Sequence, residues 1–148
     1  MPHVIIEYTD NLTGETDIPT LLEVIHAVLM RHGDVFPVGG IRSRAVALHD
    51  YRVADGREDD AFVHVTLKIG AGRGDEVKRA VGDELFGVVG AHFAEVFARR
   101  YLALSMELQE FGEAGTYKHN NIHARFRKLQ KIDDHDSPTN SPTAETEC

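Results

Sequence analysis

A chain that opens Met1-Pro2 can present an uncommon base. Proline is small enough for the initiator methionine to be removed ahead of it, and the new terminus is then a secondary amine. A free α-amino group titrates near about 7.7–8.0, and burial or nearby cations push that value down. The ring also holds the nitrogen rigidly, so Pro2 is suited to act as a general base at neutral pH. Taken alone, Met-Pro is a common start. Arg42 and Arg44, in Gly39-Gly40-Ile41-Arg42-Ser43-Arg44, stand two residues apart and share a face if the segment is a strand. By themselves they read first as a solvated pair at a strand edge. Arg73 lies in Gly70-Ala71-Gly72-Arg73-Gly74, directly before a helical pattern. A guanidinium beside helix-start N–H groups suits a carboxylate, although the glycine-rich loop alone is a weak signal. The loop lacks the Lys-Ser/Thr ending of a phosphate-binding loop, which argues against nucleotides. The nine histidines show no metal-ligand spacing. His3 adjoins the amine, and His64 reads as a partly buried strand residue.

These candidates need a scaffold, and two halves of the chain read alike. His3 to Tyr8 reads as a strand. Asp17 to His32 reads as a helix, with Asp17 as cap, Pro19 in the first turn and Gly33 at the exit. Leu21, Ile25, Val28 and Leu29 fall on one face. A second strand is expected over about 41–53, with Asp55-Gly56 as a turn. The order then repeats. Ala61 to Ile69 alternates as a strand with Val63, Val65, Leu67 and Ile69 on one face. Asp75 is placed to cap a long helix reaching roughly Arg99, with Val77, Val81, Leu85, Val88, Val89 and Phe93 as core positions. Leu102 to Leu108 reads as a last strand. Tyr8, Phe36, Phe62 and Phe86 read as core or interface, and one of the first three as a pocket wall. The expectation is an α+β fold: a doubled βαβ unit, about 2–53 and 61–110, making one four-stranded sheet with two helices on one face. Strands joined through a helix should be parallel, with right-handed crossovers. The other sheet face, read as partly apolar, then calls for a second subunit.

Composition narrows the function. The 148 residues fit one domain, and 42% hydrophobic with 27% charged residues is ordinary for a globular chain. No apolar run suggests a membrane span or a secretory signal. The lone cysteine, Cys148, rules out an intrachain disulfide and suits a reducing cytoplasm. Of the net charge of −8, residues 133–148 carry −5, so the body is only mildly acidic. No broad basic face points to nucleic acid, and an anionic substrate would have to be met by individually placed arginines. Residues 128–148 are polar and acidic and are expected to be a disordered tail on a domain spanning 1–127.

Together these segments resemble the 5-carboxymethyl-2-hydroxymuconate isomerase family of the tautomerase superfamily. The likeness runs through Met1-Pro2-His3, Phe36-Pro37, Gly40-Ile41-Arg42-Ser43-Arg44, Ala54-Asp55-Gly56, the stretch from Ala61 to Arg73, Leu102-Ala103-Leu104-Ser105 and the stretch from Lys118 to Phe126. The resemblance implies a trimer with inward-facing sheets, a cytoplasmic isomerase of aromatic catabolism (4-hydroxyphenylacetate through homoprotocatechuate), no cofactor or metal, and a small polycarboxylate as substrate. It also implies that Pro2 is the base, and that the family's two key arginines fall on Arg42 and Arg73. In the proposed chemistry Arg42 stabilises the developing 2-oxo charge and Arg73 binds a carboxylate, or the two exchange these roles. The loop at Arg73 is also similar to one in 4-oxalocrotonate tautomerase, whose chain is a single βαβ unit with a complete set of these residues. Here the set is divided. The first half's loop, Leu12-Thr13-Gly14-Glu15, has no arginine, and the second half has no terminal amine, so one site per chain is expected. Two alternatives stand beside this reading: a related enzyme of hydratase or dehalogenase type, and a non-catalytic trimeric binding protein.

Overall fold

The structure, a computed structural model, describes residues 1–135. Strand β1 (His3–Thr9) leads through a 3-10 turn into helix α1 (Ile18–Arg31), and a second 3-10 turn (Val38–Gly40) leads into β2 (Arg42–Leu48). Strand β3 (Ala61–Gly70) is followed by α2 (Asp75–His92), α3 (Ala94–Arg99), β4 (Leu102–Phe111) and α4 (Ile122–His135). The sheet order is β2-β1-β3-β4. The two helix-linked pairs, β1 with β2 and β3 with β4, are parallel as expected, and the central pair β1 and β3 is antiparallel.

Alternation builds the core. Val4 and Ile6 of β1 and Val63, Val65, Leu67 and Ile69 of β3 are buried under the helices. From α1 come Leu21, Ile25, Val28 and Leu29, and from α2 Val81, Leu85 and Val89. Asp17 caps α1 as expected: its carboxylate accepts from Thr20 N at 3.1 Å and from Thr20 Oγ1 at 2.8 Å. The halves are stitched together at several points. Thr9, buried at the end of β1, accepts the Phe62 N–H on its hydroxyl at 3.2 Å. Arg100 donates to Asn11 O, Glu15 and Asp59 at 2.5–3.2 Å.

Several expectations are corrected. The second strand stops at Leu48, not near Val53, because β1, its one neighbour among the described residues, ends at the paired Thr9. The long helix breaks at Phe93, whose backbone (φ −96°, ψ 8°) leaves helical geometry while its side chain is fully buried. Gly74, not Asp75, is the cap residue of α2, and Asp75 sits in the first turn where its charge still favours the helix start. Val77, expected in the core, is exposed, and Phe86 lies outside the core of the single chain. Residues 128–135 belong to α4 where an unstructured tail was expected; the remainder of that tail, 136–148, lies outside the described residues. The uncovered sheet face is partly apolar, as expected, through Ile5, Val46 and Phe62, and the rest of it is polar. There His64 shares a hydrogen bond with Ser105 (2.7 Å) and lies 3.6 Å from Glu107, which accepts from Gln109 at 2.7 Å.

Candidate active site

Pro2 is buried at the mouth of the sheet, between β2 and β3. Its carbonyl accepts the Arg42 N–H at 3.1 Å, so the first residue of β2 is tied directly to the chain's start. Ser43 turns the other way and is anchored to α1 through His26 Nε2 at 2.6 Å. That contact fixes the strand's rotation, and Arg42 and Arg44 therefore share the face away from the helices. Arg42 Nη1 donates to Gly40 O at 2.9 Å and reaches Met1 Sδ at 3.4 Å.

Arg73 arrives from the loop between β3 and α2. Its guanidinium donates to Gly70 O at 2.8 Å and to Val35 O at 2.9 Å, and stacks 5.1 Å from the centre of the Phe36 ring. Phe36 is itself buried, so the guanidinium rests on a fixed plate and is pinned along one edge by two carbonyls. Of the aromatic candidates for a pocket wall, Phe36 is the one in contact with a site arginine.

The amine that carries the terminus here is that of Met1. It lies below the ordinary value of 8.0, first through burial and then through the fields of Lys118, Arg73 and Arg42. All three sequence-derived positions are thus brought around one point. The sequence reading missed three other residues near it. Lys118 contributes the strongest of those cationic fields. Asn120 Nδ2 donates to Gly39 O at 2.9 Å and faces Met1 Sδ at 3.9 Å, while its Oδ1 accepts from Ile122 N at 2.8 Å and holds the start of α4. His123 packs onto Gly39, where an added Cβ would stand 2.7 Å from His123 Nδ1. The available signal was the spacing of Ile122, Phe126 and Leu129, which marks one face of a helix.

On the other side of the terminus is a cavity of about 390 Å³ lined by Met1, His3, Arg44, Lys68, Phe111 and Lys118, among others. A larger, shallow apolar depression of about 680 Å³ runs along the outside of α1 and shares none of these residues. Among the described residues no cluster of three or more His, Cys, Asp or Glu could hold a metal, and no helix is long and apolar enough to cross a membrane. The arrangement can bind an anion beside an amine of lowered basicity, which is the equipment for moving a proton on a charged substrate.

Comparison with known proteins gives a consistent picture. Residues 2–126 match the family described as 5-carboxymethyl-2-hydroxymuconate isomerase. Over 127 residues the chain is 43% identical to 5-carboxymethyl-2-hydroxymuconate Delta-isomerase of Escherichia coli, spanning 86% of this chain and 100% of that protein. The crystal structure of a 5-carboxymethyl-2-hydroxymuconate isomerase from Deinococcus radiodurans R1 superimposes with a TM-score of 0.82 at 57% identity, covering 85% of this chain and 94% of that one. At the level of the fold alone, a fused 4-OT symmetric trimer matches with a TM-score of 0.55 at 17% identity, covering 74% and 87% of the two chains.

Proposed function

The chain belongs to the 5-carboxymethyl-2-hydroxymuconate isomerase family, and from that membership we propose that it shifts a proton and a double bond in 5-carboxymethyl-2-hydroxymuconate, with the amine of Pro2 as base after Met1 is removed. It is an isomerase of the tautomerase type. The observation that carries the site assignment is the convergence of Arg42, Arg73 and Lys118 on the half-buried terminus, where together with burial they lower the basicity of its amine.

The reaction closes without a cofactor. Neutral Pro2 takes the proton of the 2-hydroxyl, and C2=O forms as the C2=C3 electrons move to C3=C4. The C4=C5 electrons then take a proton at C5 from the same, now charged, amine. Arg42 faces the oxygen on which negative charge develops, a preorganised role that needs no rearrangement during the step. Arg73, held over Phe36 with its Nε free of partners among the described residues, binds a carboxylate and fixes the register of the chain of double bonds. Either arginine fits either role by charge alone. The pinning of Arg73 by two carbonyls favours it as the stationary clamp.

The working assembly in this reading is a homotrimer in the cytoplasm. A sheet face left open by both helices supports the first point, as does the symmetric trimer formed by a fused 4-OT of like fold. The lone Cys148 suits the second.

The test compares chains with a processed and an extended N-terminus, using the ultraviolet absorbance of the dienol. Extension turns the Pro2 nitrogen into an amide with no basic lone pair. The expected loss is at least ~10²-fold, the usual contribution of a general base. Full activity in a chain whose blocked terminus is confirmed by mass spectrometry would rule the mechanism out.

A further inference from the structure

The cations around the amine do not account for all of the positive charge at this end of the sheet. The register sets His3 of β1 opposite both Arg42 of β2 and Lys68 of β3, and Arg44 follows one step further along the same face. His3, Arg44, Lys68 and Lys118 all line the cavity of about 390 Å³ beside the terminus. Among the described residues none of Arg44, Lys68 and Lys118 has a carboxylate in ion-pair range of the kind that Arg31, Lys78 and Arg100 have. Among the described residues the one side-chain neighbour of Arg44 within hydrogen-bond distance is His3 Nδ1 at 3.5 Å. His3 is held below its ordinary value, first by burial and then by Arg44, Arg42, the terminus and Lys68, so it stays a neutral imidazole among cations. Like charges brought together around a concavity repel one another, and the arrangement is relieved when an anion enters.

Resting on the isomerase reading of the same site, we propose that this cavity seats a carboxylate remote from the reacting 2-oxo end, and that Arg44 and Lys68 are the residues that select polycarboxylates over monocarboxylates. The substrate named by the family is a muconate, already a diacid, with a third carboxylate on its carboxymethyl arm. Arg42 and Arg73 serve the oxo group and one carboxylate, which leaves further negative charge to be placed. Arg44 follows Arg42 two residues along β2, roughly 7 Å, and Lys68 stands two strands across the sheet from Arg42, roughly 10 Å, spans that a planar conjugated diacid can bridge. Phe111 lines the cavity as well and offers apolar surface to the carbon chain.

The experiment uses the processed full chain, with Arg44→Gln and Lys68→Gln each compared with wild type. Three dienols are assayed: 2-hydroxypenta-2,4-dienoate, 2-hydroxymuconate and 5-carboxymethyl-2-hydroxymuconate, carrying one, two and three carboxylates. The ratio of kcat/KM for the triacid to that for the monoacid should fall by at least about tenfold in either variant, mainly through KM, as expected for the loss of one charge-assisted contact. A ratio that stays at the wild-type value overturns the proposal, whether activity is kept or falls equally on all three dienols. Calorimetric binding of tricarballylate, a non-reacting triacid, separates this outcome from failure of the isomerase reading. If wild type turns over none of the dienols, the reaction assignment falls, and the cavity stands or falls on whether tricarballylate binds about tenfold more weakly to the variants. Thermal melting and sedimentation confirm that each variant is folded and assembled. Should one variant fail to fold, the other carries the test.

Discussion

An amine serves as a base only in its unprotonated form, and the surroundings of this terminus all act in that direction. Burial comes first, followed by Lys118, Arg73 and Arg42, and all lower its value from 8.0. Those groups belong to the surroundings of Pro2 as well, so the rate kcat/KM of the processed enzyme should rise with pH through one ionisation, with a midpoint below that of a free prolyl amine, and level off above it. Lys118→Met removes the first of the cationic influences, so the midpoint should move to higher pH; a pH–rate profile checks this, and an unmoved or lowered midpoint contradicts it. The arginines should separate kinetically. Arg73→Ala should chiefly raise KM, because a clamp acts in ground and transition states alike, and Arg42→Ala should chiefly lower kcat. The opposite pattern in steady-state kinetics would exchange their roles. Pro2, Arg42 and Arg73 were each weak signals taken singly, and it was the family resemblance across the whole chain that joined them into one candidate site. Lys118 was not among them, since it lies in an aperiodic connection between β4 and α4, and only the folded chain brings it to the amine.

Among the elements, α4 depends on two residues that have no side chain to offer. Gly39 and Gly40 let His123 and Met1 approach the backbone closely, and a Cβ at Gly39 would stand 2.7 Å from His123 Nδ1, 2.9 Å from its Cα and 3.0 Å from its nitrogen. Backbone atoms that close cannot be relieved by a rotamer change. Gly39→Ala should push the start of α4 away and break the Asn120–Gly39 hydrogen bond, with faster amide exchange over residues 120–126 and reduced activity. Unchanged exchange there would show that the contact is not needed. The helix-linked strand pairs followed from connection length alone, because a crossover helix returns the chain in parallel. The antiparallel joining of β1 to β3 did not follow, since residues 49–60 contain turns but nothing that fixes a direction. The break at Phe93 was hidden for a related reason: Val89, Phe93 and Val96 continue a helical spacing across a point where backbone geometry yields to the burial of one large ring.

For the whole molecule, the uncovered sheet face sets the test of assembly. Sedimentation should give three times the 16.5 kDa of one chain, and a stable monomer would contradict the trimer. Removing residues 132–148 should leave trimer and activity nearly unchanged, because Ile132 is 62% exposed within the chain and the segment is otherwise polar and acidic; loss of assembly on truncation would refute this. The antiparallel centre of the sheet has one more consequence. β1 and β3 lie side by side in opposite directions, each with its parallel partner outside, so the sheet carries an approximate twofold axis between them. Rotation about that axis exchanges the two ends of the molecule. Where one end has Pro2, Arg42 and Arg73, the other has Ala61, Leu102 and the turn at Leu12–Glu15. Ala61 is in mid-chain, and its nitrogen is an amide spent on Tyr101 O at 3.1 Å. The turn and the approach to β3 are closed by Arg100, bonded to Asn11, Glu15 and Asp59. The backbone is near-symmetric and its chemistry is not: the second pole is a seam, and a saturating ligand should titrate to one per chain and three per trimer rather than six.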